Sequence, residues 1–256
     1  MSTKCKKTLN YNGHRRFIKG KYGIILLILI FFIITTIFLL LYTDFFLIKE
    51  IEVIGNDYVQ DNEVLRTSNI EIGMNIFKFN SSKIENNILL HSFIKDAKIT
   101  RYYPDKVSLS IQEREIACII PFEDGTFLYI DDEGVVMEKN QSLKTYNNPL
   151  ITGLEEVSFI IGKPIEINPV WFKNSILKII NILKENDLLK EISEIHILDD
   201  LNLQLYTNAG SVIKIGNDSI LEKKIEFVRT FILQLKPKVI VDISHGGAPH
   251  YKPRTN

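Results

Sequence analysis

The 256-residue chain carries 31 basic and 31 acidic side chains and two cysteines, a length that suits an anchor plus about one or two domains. Its net charge of zero conceals a segregation: Lys4, Lys6, Lys7, Arg15, Arg16, Lys19 and Lys21 precede Asp44, and every acidic residue follows. The part beyond is mildly acidic, which excludes the basic face that nucleic acid requires.

Residues 22–42, Tyr22 to Tyr42, run without a charge for 21 positions. At about 1.5 Å per residue they span roughly 30 Å, the thickness of a bilayer's hydrocarbon core. Tyrosines close both ends, where amphipathic rings rest among headgroups. The basic flank predicts a cytoplasmic tail over 1–21 and places 44–256 on the other side. A cleaved signal peptide has a shorter apolar region and small residues at its cleavage site. Here Tyr-Thr-Asp-Phe-Phe follows, so the run is read as an uncleaved single-pass anchor. Cys5 and Cys118 then lie on opposite sides and cannot pair. A disulfide-stapled scaffold is excluded, and no Cys/His spacing suggests zinc.

From Ile48 the pattern predicts strand, helix, helix, strand, strand. Ile51 and Val53 alternate with Glu50 and Glu52, the period of a half-buried strand. Gly55-Asn56 ends it, and a short helix over Gln60 to Ser68 turns Val64 and Leu65 inward. The connection Gly73 to Phe79 contributes two inward aromatics, Phe77 and Phe79. Ser82 and Glu85 have the spacing of a capping box, opening a helix with Ile84, Ile88 and Leu89 on one stripe. Strands Ile94 to Tyr102 and Val107 to Arg114 follow, joined at Tyr103-Pro104-Asp105.

After Cys118 the style changes to short strands. Phe122 to Thr126 and Asp131 to Gly134 read as hairpin turns, the second as a solvated tip. Another segment begins at Pro149 to Gly153. Asn168-Pro169 is predicted to cap a helix with Phe172, Ile176, Ile179, Ile180 and Leu183 along one side. Strands are predicted at Glu194 to Leu198, Leu201 to Thr207 and Ser211 to Ile215. Asp218 is expected to cap a further helix whose Leu221, Ile225, Val228, Ile232 and Leu235 form a stripe. Two heptads are short for a coiled coil, so this stripe is expected to pack on the domain's own sheet. Pro237 stops it, Lys238 to Ser244 is the expected final strand, and the Gly- and Pro-rich tail 246–256 is expected to be flexible.

No residue set points to catalysis, a metal or a cofactor. Ser244 and His245 are strand neighbours and point to opposite faces. His91, His196 and His250 are scattered, without metal-site spacing. Asp131-Asp132-Glu133-Gly134 lacks the alternating ligands of a calcium loop, and no glycine-rich phosphate loop occurs. Trp171 is read as a core or interface residue.

Taken together these segments resemble the FtsQ/DivIB family of bacterial cell-division proteins. "IEVIGNDYVQDNEV" is similar to the opening of that family's POTRA domain. "IGMNIFKFNSSKIENNILLHSFIKDAKITRYYPDKVSLSIQEREIACI" carries its Gly-x-Asn-x-Phe opening, second helix, Tyr-Pro turn and Glu-Arg-Glu exit. "LYIDDEGVVM" and "PLITG" resemble landmarks of the β domain, and "VIVDIS" stands where the family has its last strand. Ile116 departs from the proline often found after Glu-Arg. POTRA domains also occur in outer-membrane assembly and secretion proteins, but those lead into a barrel for which this chain has no room.

The resemblance implies an α+β chain: a transmembrane helix, a POTRA-like βααββ domain over 46–115, and a mixed β domain with two flanking helices over 116–245. It implies a non-enzymatic divisome scaffold that supports septum formation and acts on no small-molecule substrate. Its partners would be single-pass proteins of the FtsL and DivIC/FtsB type. One partner segment would add beside the last strand, at Val239, Ile240, Val241, Asp242, Ile243 and Ser244, where unpaired backbone groups give affinity. Competing readings are a membrane-anchored envelope enzyme and a secretion or sporulation POTRA protein with other partners. The enzyme reading predicts a pocket with converging polar groups.

Overall fold

The computed structural model describes residues 14–145, 147–198, 202–235, 238–245 and 247–253, and the side chains of all of these except 14–21 and Leu235. Cys5, Leu201, Pro237 and Gly246, each used in the sequence reading, lie outside the described residues.

Helix α1 runs over His14–Tyr42. Its segment Tyr22–Tyr42 has a mean hydropathy of 3.4 and is not buried against the rest of the protein, so it fits a transmembrane anchor. The Thr35 and Thr36 hydroxyls donate back to the carbonyls of Phe31 and Phe32 at 2.9 Å, which leaves neither donor open to lipid.

The first folded unit is β1 (Glu50–Ile54), α2 (Asp61–Ser68), α3 (Ser81–Ile88), β2 (Ile94–Tyr102) and β3 (Lys106–Glu113). Its sheet order is β1-β3-β2, with β1 parallel and β2 antiparallel to β3. The central strand takes the apolar load: Val107 and Leu109 are fully buried, under Val64, Ile84 and Ile88 from the two helices. Gly55 closes β1 at φ 86°, and a Cβ there would stand 2.2 Å from the Ile111 carbonyl oxygen. Only glycine serves at such an approach.

The second unit holds β4 (Cys118–Pro121), β5 (Phe127–Ile130), β6 (Val136–Asn140), β7 (Leu150–Thr152), β8 (Glu156–Ser158) and β9 (Glu166–Asn168). Then come α4 (Val170–Glu185), β10 (Ile192–Ile197), β11 (Leu203–Thr207), β12 (Val212–Gly216), α5 (Asp218–Thr230), β13 (Val239–Asp242) and β14 (His250–Pro253). Nine strands form one sheet in the order β14-β13-β12-β11-β10-β7-β4-β5-β6, and β8 pairs with β9 in a separate ribbon. Helices α4 and α5 pack on each other over one sheet face. The apolar stripe of α4 is buried as its spacing predicts, and Leu221, Val228 and Ile232 of the α5 stripe are buried too. That stripe faces the domain's own core, as expected, and continues into a single π-type turn at Phe231–Leu235.

Several local expectations are corrected. The N-cap of α3 is Asn80, whose side chain accepts from the Lys83 N–H at 3.2 Å. Ser82 therefore lies inside the helix, and Glu85 turns away to accept from the Ile99 N–H of β2. Asn217, not Asp218, caps α5 by accepting from Ile220 N–H. Pro169 occupies the N-cap of α4 while Asn168 ends β9. Phe79 is buried as expected, but Phe77 is 37% exposed.

The largest correction concerns the tail. His250–Pro253 is a strand, β14, antiparallel to β13, so part of the 246–256 tail is paired and β13 is not the edge of the sheet. Two prolines disguise this element in the sequence. Pro253 stands opposite Val239, and the Val239 N–H points the other way, to Ser211 Oγ at 3.3 Å. The proline thus occupies a position where no ladder donor is needed.

Candidate functional site

Alternation along β13 sorts the six residues expected to bind a partner. The N–H groups of Val239 and Ile243 donate toward β12, to Ser211 Oγ and the Lys214 carbonyl. Residues 239, 241 and 243 therefore serve the inner ladder, and the backbone groups of Ile240 and Asp242 point outward. Side chains divide likewise: Val241 and Ile243 are fully buried in the core, while Ile240 and Asp242 are half-buried on the opposite face. Ser244 ends the run by donating its hydroxyl and N–H to the Asp242 carboxylate, at 2.6 and 3.0 Å. Those two bonds outweigh partial burial and, with the charge of Lys214, hold the Asp242 carboxyl below its usual range.

Among the described residues, β14 is the strand that lies outside β13. All four of its residues are exposed, so it is held by its backbone ladder and little apolar packing. The turn before it is tied to α5, where Lys224 Nζ donates to the carbonyls of His245 and Gly247 at 2.8 and 2.7 Å. Lys214, Ile240, Asp242, His250, Tyr251 and Lys252 line a shallow depression across these strands.

A second constellation joins strands that are distant in sequence. Thr152 on β7 bonds both Glu194 and His196 on β10, with 2.7 Å from its hydroxyl to His196 Nδ1. Glu194 lies 3.5 Å from that same ring nitrogen. Hydroxyl and carboxylate thus crowd one nitrogen, whereas a nucleophile-base-orienter relay needs them on opposite nitrogens. The three residues sit on a half-exposed sheet face, and the arrangement is a cross-strand polar contact. Sequence reading missed it because strand partners are set by topology. Among the described residues, no group of three or more His, Cys, Asp and Glu is placed to hold a metal. Burial pushes the Cys118 thiol up, away from the reactive thiolate.

The joint between the two units is built from three consecutive residues. Glu113 accepts from the N–H groups of Tyr58 and Val59, at 2.9 and 2.8 Å, and so ties β3 to the loop before α2. Arg114 pairs across the joint with Asp131 and with Glu133, the latter at 2.9 Å. Glu115 lies 3.7 Å from Lys184 of α4. Lys95 of β2 adds contacts to Asp132 and Glu133, and Lys184 pairs with Asp132 at 2.7 Å. The turn expected to be a solvated tip is therefore the receiving side of an ion-pair network. Asp131 is fully buried and accepts from the N–H groups of Glu133 and Val135. Burial works against the charge of Asp132, yet Lys184 and Lys95 hold its carboxyl below the usual range. Hydrogen bonds from Arg114 and Lys95 do the same for Glu133. Burial works against the charged guanidinium of Arg114, but its carboxylate partners raise its pKa.

Comparison with known proteins bears on all of these surfaces. The family profile described as POTRA domain, FtsQ-type, matches residues 46–114, and that of the cell division protein FtsQ/DivIB C-terminal domain matches 119–244. Cell division protein DivIB of Clostridium tetani (strain Massachusetts / E88) is 30% identical over 191 residues, covering 74% of this chain and 71% of the relative. The chain belongs to the FtsQ/DivIB family. DivIB of Clostridium botulinum (strain Hall) is 29% identical over 213 residues, 80% of this chain and 81% of its own. FtsQ of Syntrophotalea carbinolica is 23% identical over 204 residues, 78% and 70% of the two chains. These relatives are cell-division proteins, which supports a division role for this member. In FtsQ/DivIB terms, the first unit is the POTRA domain, the second is the β domain, and Glu113-Arg114-Glu115 forms the joint between them.

Proposed function

We propose that this chain is a non-enzymatic, membrane-anchored scaffold of the bacterial divisome. Residues 1–21 lie in the cytoplasm, the POTRA and β domains lie outside, and the protein collects at the septum. Its partners are single-pass division proteins of the FtsL and DivIC/FtsB type. The basic flank on one side of the anchor, with all acidic residues on the other, supports this orientation.

The observation that carries the reading is the margin of the large sheet. The outward backbone groups of Ile240 and Asp242 are covered by a four-residue strand with no buried side chain. A partner strand of equal or greater length, with apolar side chains for the same face, replaces β14 at little cost, because only its ladder must be exchanged. The site is then Val239 to Ser244, with Lys214 and Asp242 as the flanking charges.

Binding of the full chain in nanodiscs to the ectodomains of FtsL- and DivIC-type proteins tests this. Deleting residues 248–256 is expected to tighten binding at least about tenfold, since a competing ladder worth over ~1.4 kcal/mol is removed. Loss of binding on the same deletion would move the contact to the outer edge of β14. No binding by either form would overturn the scaffold reading.

A further inference from the structure

The chain leaves its membrane helix and enters the POTRA domain without a free linker. Thr43 turns its hydroxyl and N–H back to the Leu39 carbonyl, at 2.6 and 3.2 Å. Buried Asn75 then donates to the next two carbonyls of α1, those of Leu40 and Leu41, at 2.9 and 3.3 Å. These are orphan acceptors of a helix C-terminus, which water or a side chain must satisfy. The segment after the helix pairs with the same loop: the Ile76 N–H donates to Phe46 O at 2.9 Å and the Ile48 N–H to Met74 O at 2.8 Å. Lys78 Nζ lies 4.5 Å from the ring centre of Tyr42, the last residue of α1.

Around this junction the domain shows apolar rings outward. Phe45, Phe46, Phe77 and Tyr103 form a continuous row, with successive ring centres 5.0, 5.2 and 5.3 Å apart. Phe45 and Tyr103 are 62% and 60% exposed. Phe46 packs against the core of this domain, but Phe45 and Tyr103 keep most of their surface open. The row's height above the membrane is set by covalent continuity, because Phe45 is three residues beyond the end of an apolar helical segment, Tyr22–Tyr42, that spans roughly 30 Å. That is the depth at which aromatic rings are favoured, with an apolar body inside and a polar edge in the headgroups. Charge on this face is balanced: Lys49 is paired with Asp105 at 2.8 Å, and the exposed Lys78 at the helix end is matched in sign and number by the exposed Asp44.

We propose that this face of the POTRA domain is a lipid-contact surface, resting on the headgroup-acyl boundary through Phe45, Phe77 and Tyr103. The bilayer is its occupant by continuity: the same chain already lies in the membrane a few residues away. Balanced charge makes the contact apolar in origin, so zwitterionic lipid suffices. The proposal is independent of what the β domain binds.

The test uses the full chain, one copy per nanodisc, in phosphatidylcholine. With Trp171→Phe removing the native fluorophore, a single tryptophan is introduced by Phe45→Trp or, separately, by Tyr103→Trp. Lipids brominated near the top of the acyl chain are expected to quench either one by about twofold or more, as for a ring at the interface. The native Trp171, in an otherwise unsubstituted chain, provides the β-domain reference. Quenching at both positions no greater than that reference would overturn the proposal. Quenching that is present in single-copy nanodiscs but lost in liposomes holding many copies would assign the face to a second copy and overturn it equally. Both positions are exposed, so neither variant depends on repacking a core.

Discussion

Arg114 leaves 15% of its side chain exposed at a joint where its counter-charge, Asp131, is fully buried. Removing it leaves a buried carboxylate that, among the described residues, is supported by two backbone N–H groups. Arg114→Ala is therefore expected to destabilise the protein by about 2–4 kcal/mol, while Arg114→Lys, keeping the charge but not the planar guanidinium, costs less. Thermal unfolding of the two variants checks this. The acid dependence has a definite sign. Asp132 and Glu133 have carboxyls lowered in the folded state, so their contribution is fully present above the unfolded values of about 3.9 and 4.3 and is lost as pH falls through the folded ones. A pH series of melts between roughly 6 and 2 should show stability falling below about pH 4. The fall should be shallower in Lys95→Ala, because Lys95 contacts both groups. Glu-Arg-Glu was legible as a motif, but its work was not. That Arg114 reaches the turn after β5 depends on how two domains dock, which no local pattern encodes.

At the scale of elements, β13 offers a clean separation of fold from binding. Ile240→Pro removes a donor that points only to β14, so the isolated fold should hold while pairing at the sheet margin is lost. Val241→Pro removes a donor on the β12 side at a fully buried position and should cost about 3 kcal/mol or more. Circular dichroism melts, together with partner binding, separate the two; equal loss of stability in both would refute the assigned directions. Elements with strong periodicity were readable before the structure: α4 from its Ile and Leu spacing, β1 and β3 from strict alternation. The helix caps were shifted by one or two residues, since Asn80 and Asn217 compete with neighbouring Ser82 and Asp218 for the same role. The short strands β8, β9 and β14 carry three or four residues each, too few for a period to register. Their existence is decided by the partner strand.

At the scale of the whole molecule, the anchor, POTRA domain and β domain are joined at two places, and neither joint is loose. The first is the Asn75 clamp on the helix end, and the second is the ion-pair network around Arg114. Inserting a flexible Gly/Ser segment of ~15 residues after Asp44 adds a reach of roughly 20 Å and severs the first joint without touching either core. Cells carrying this insertion are expected to divide poorly although the protein is folded and present; normal septation would show that placement does not matter. The sequence announced the abrupt boundary at Tyr42 but not the clamp, because Asn75 is 33 residues beyond the helix end it caps.

The clamp has one more consequence, which concerns direction and not height. Asn75 grips two successive carbonyls, on different sides of the helix cylinder, so α1 cannot spin beneath the domain it carries. The compass bearing of the distant β13-β14 margin is fixed relative to the side chains of the membrane helix. A neighbouring helix that selects one flank of α1 in the bilayer therefore also selects where that margin points outside it. Under the proposed function, contacts made within the membrane and strand pairing at the β13-β14 margin become two readings of a single azimuth.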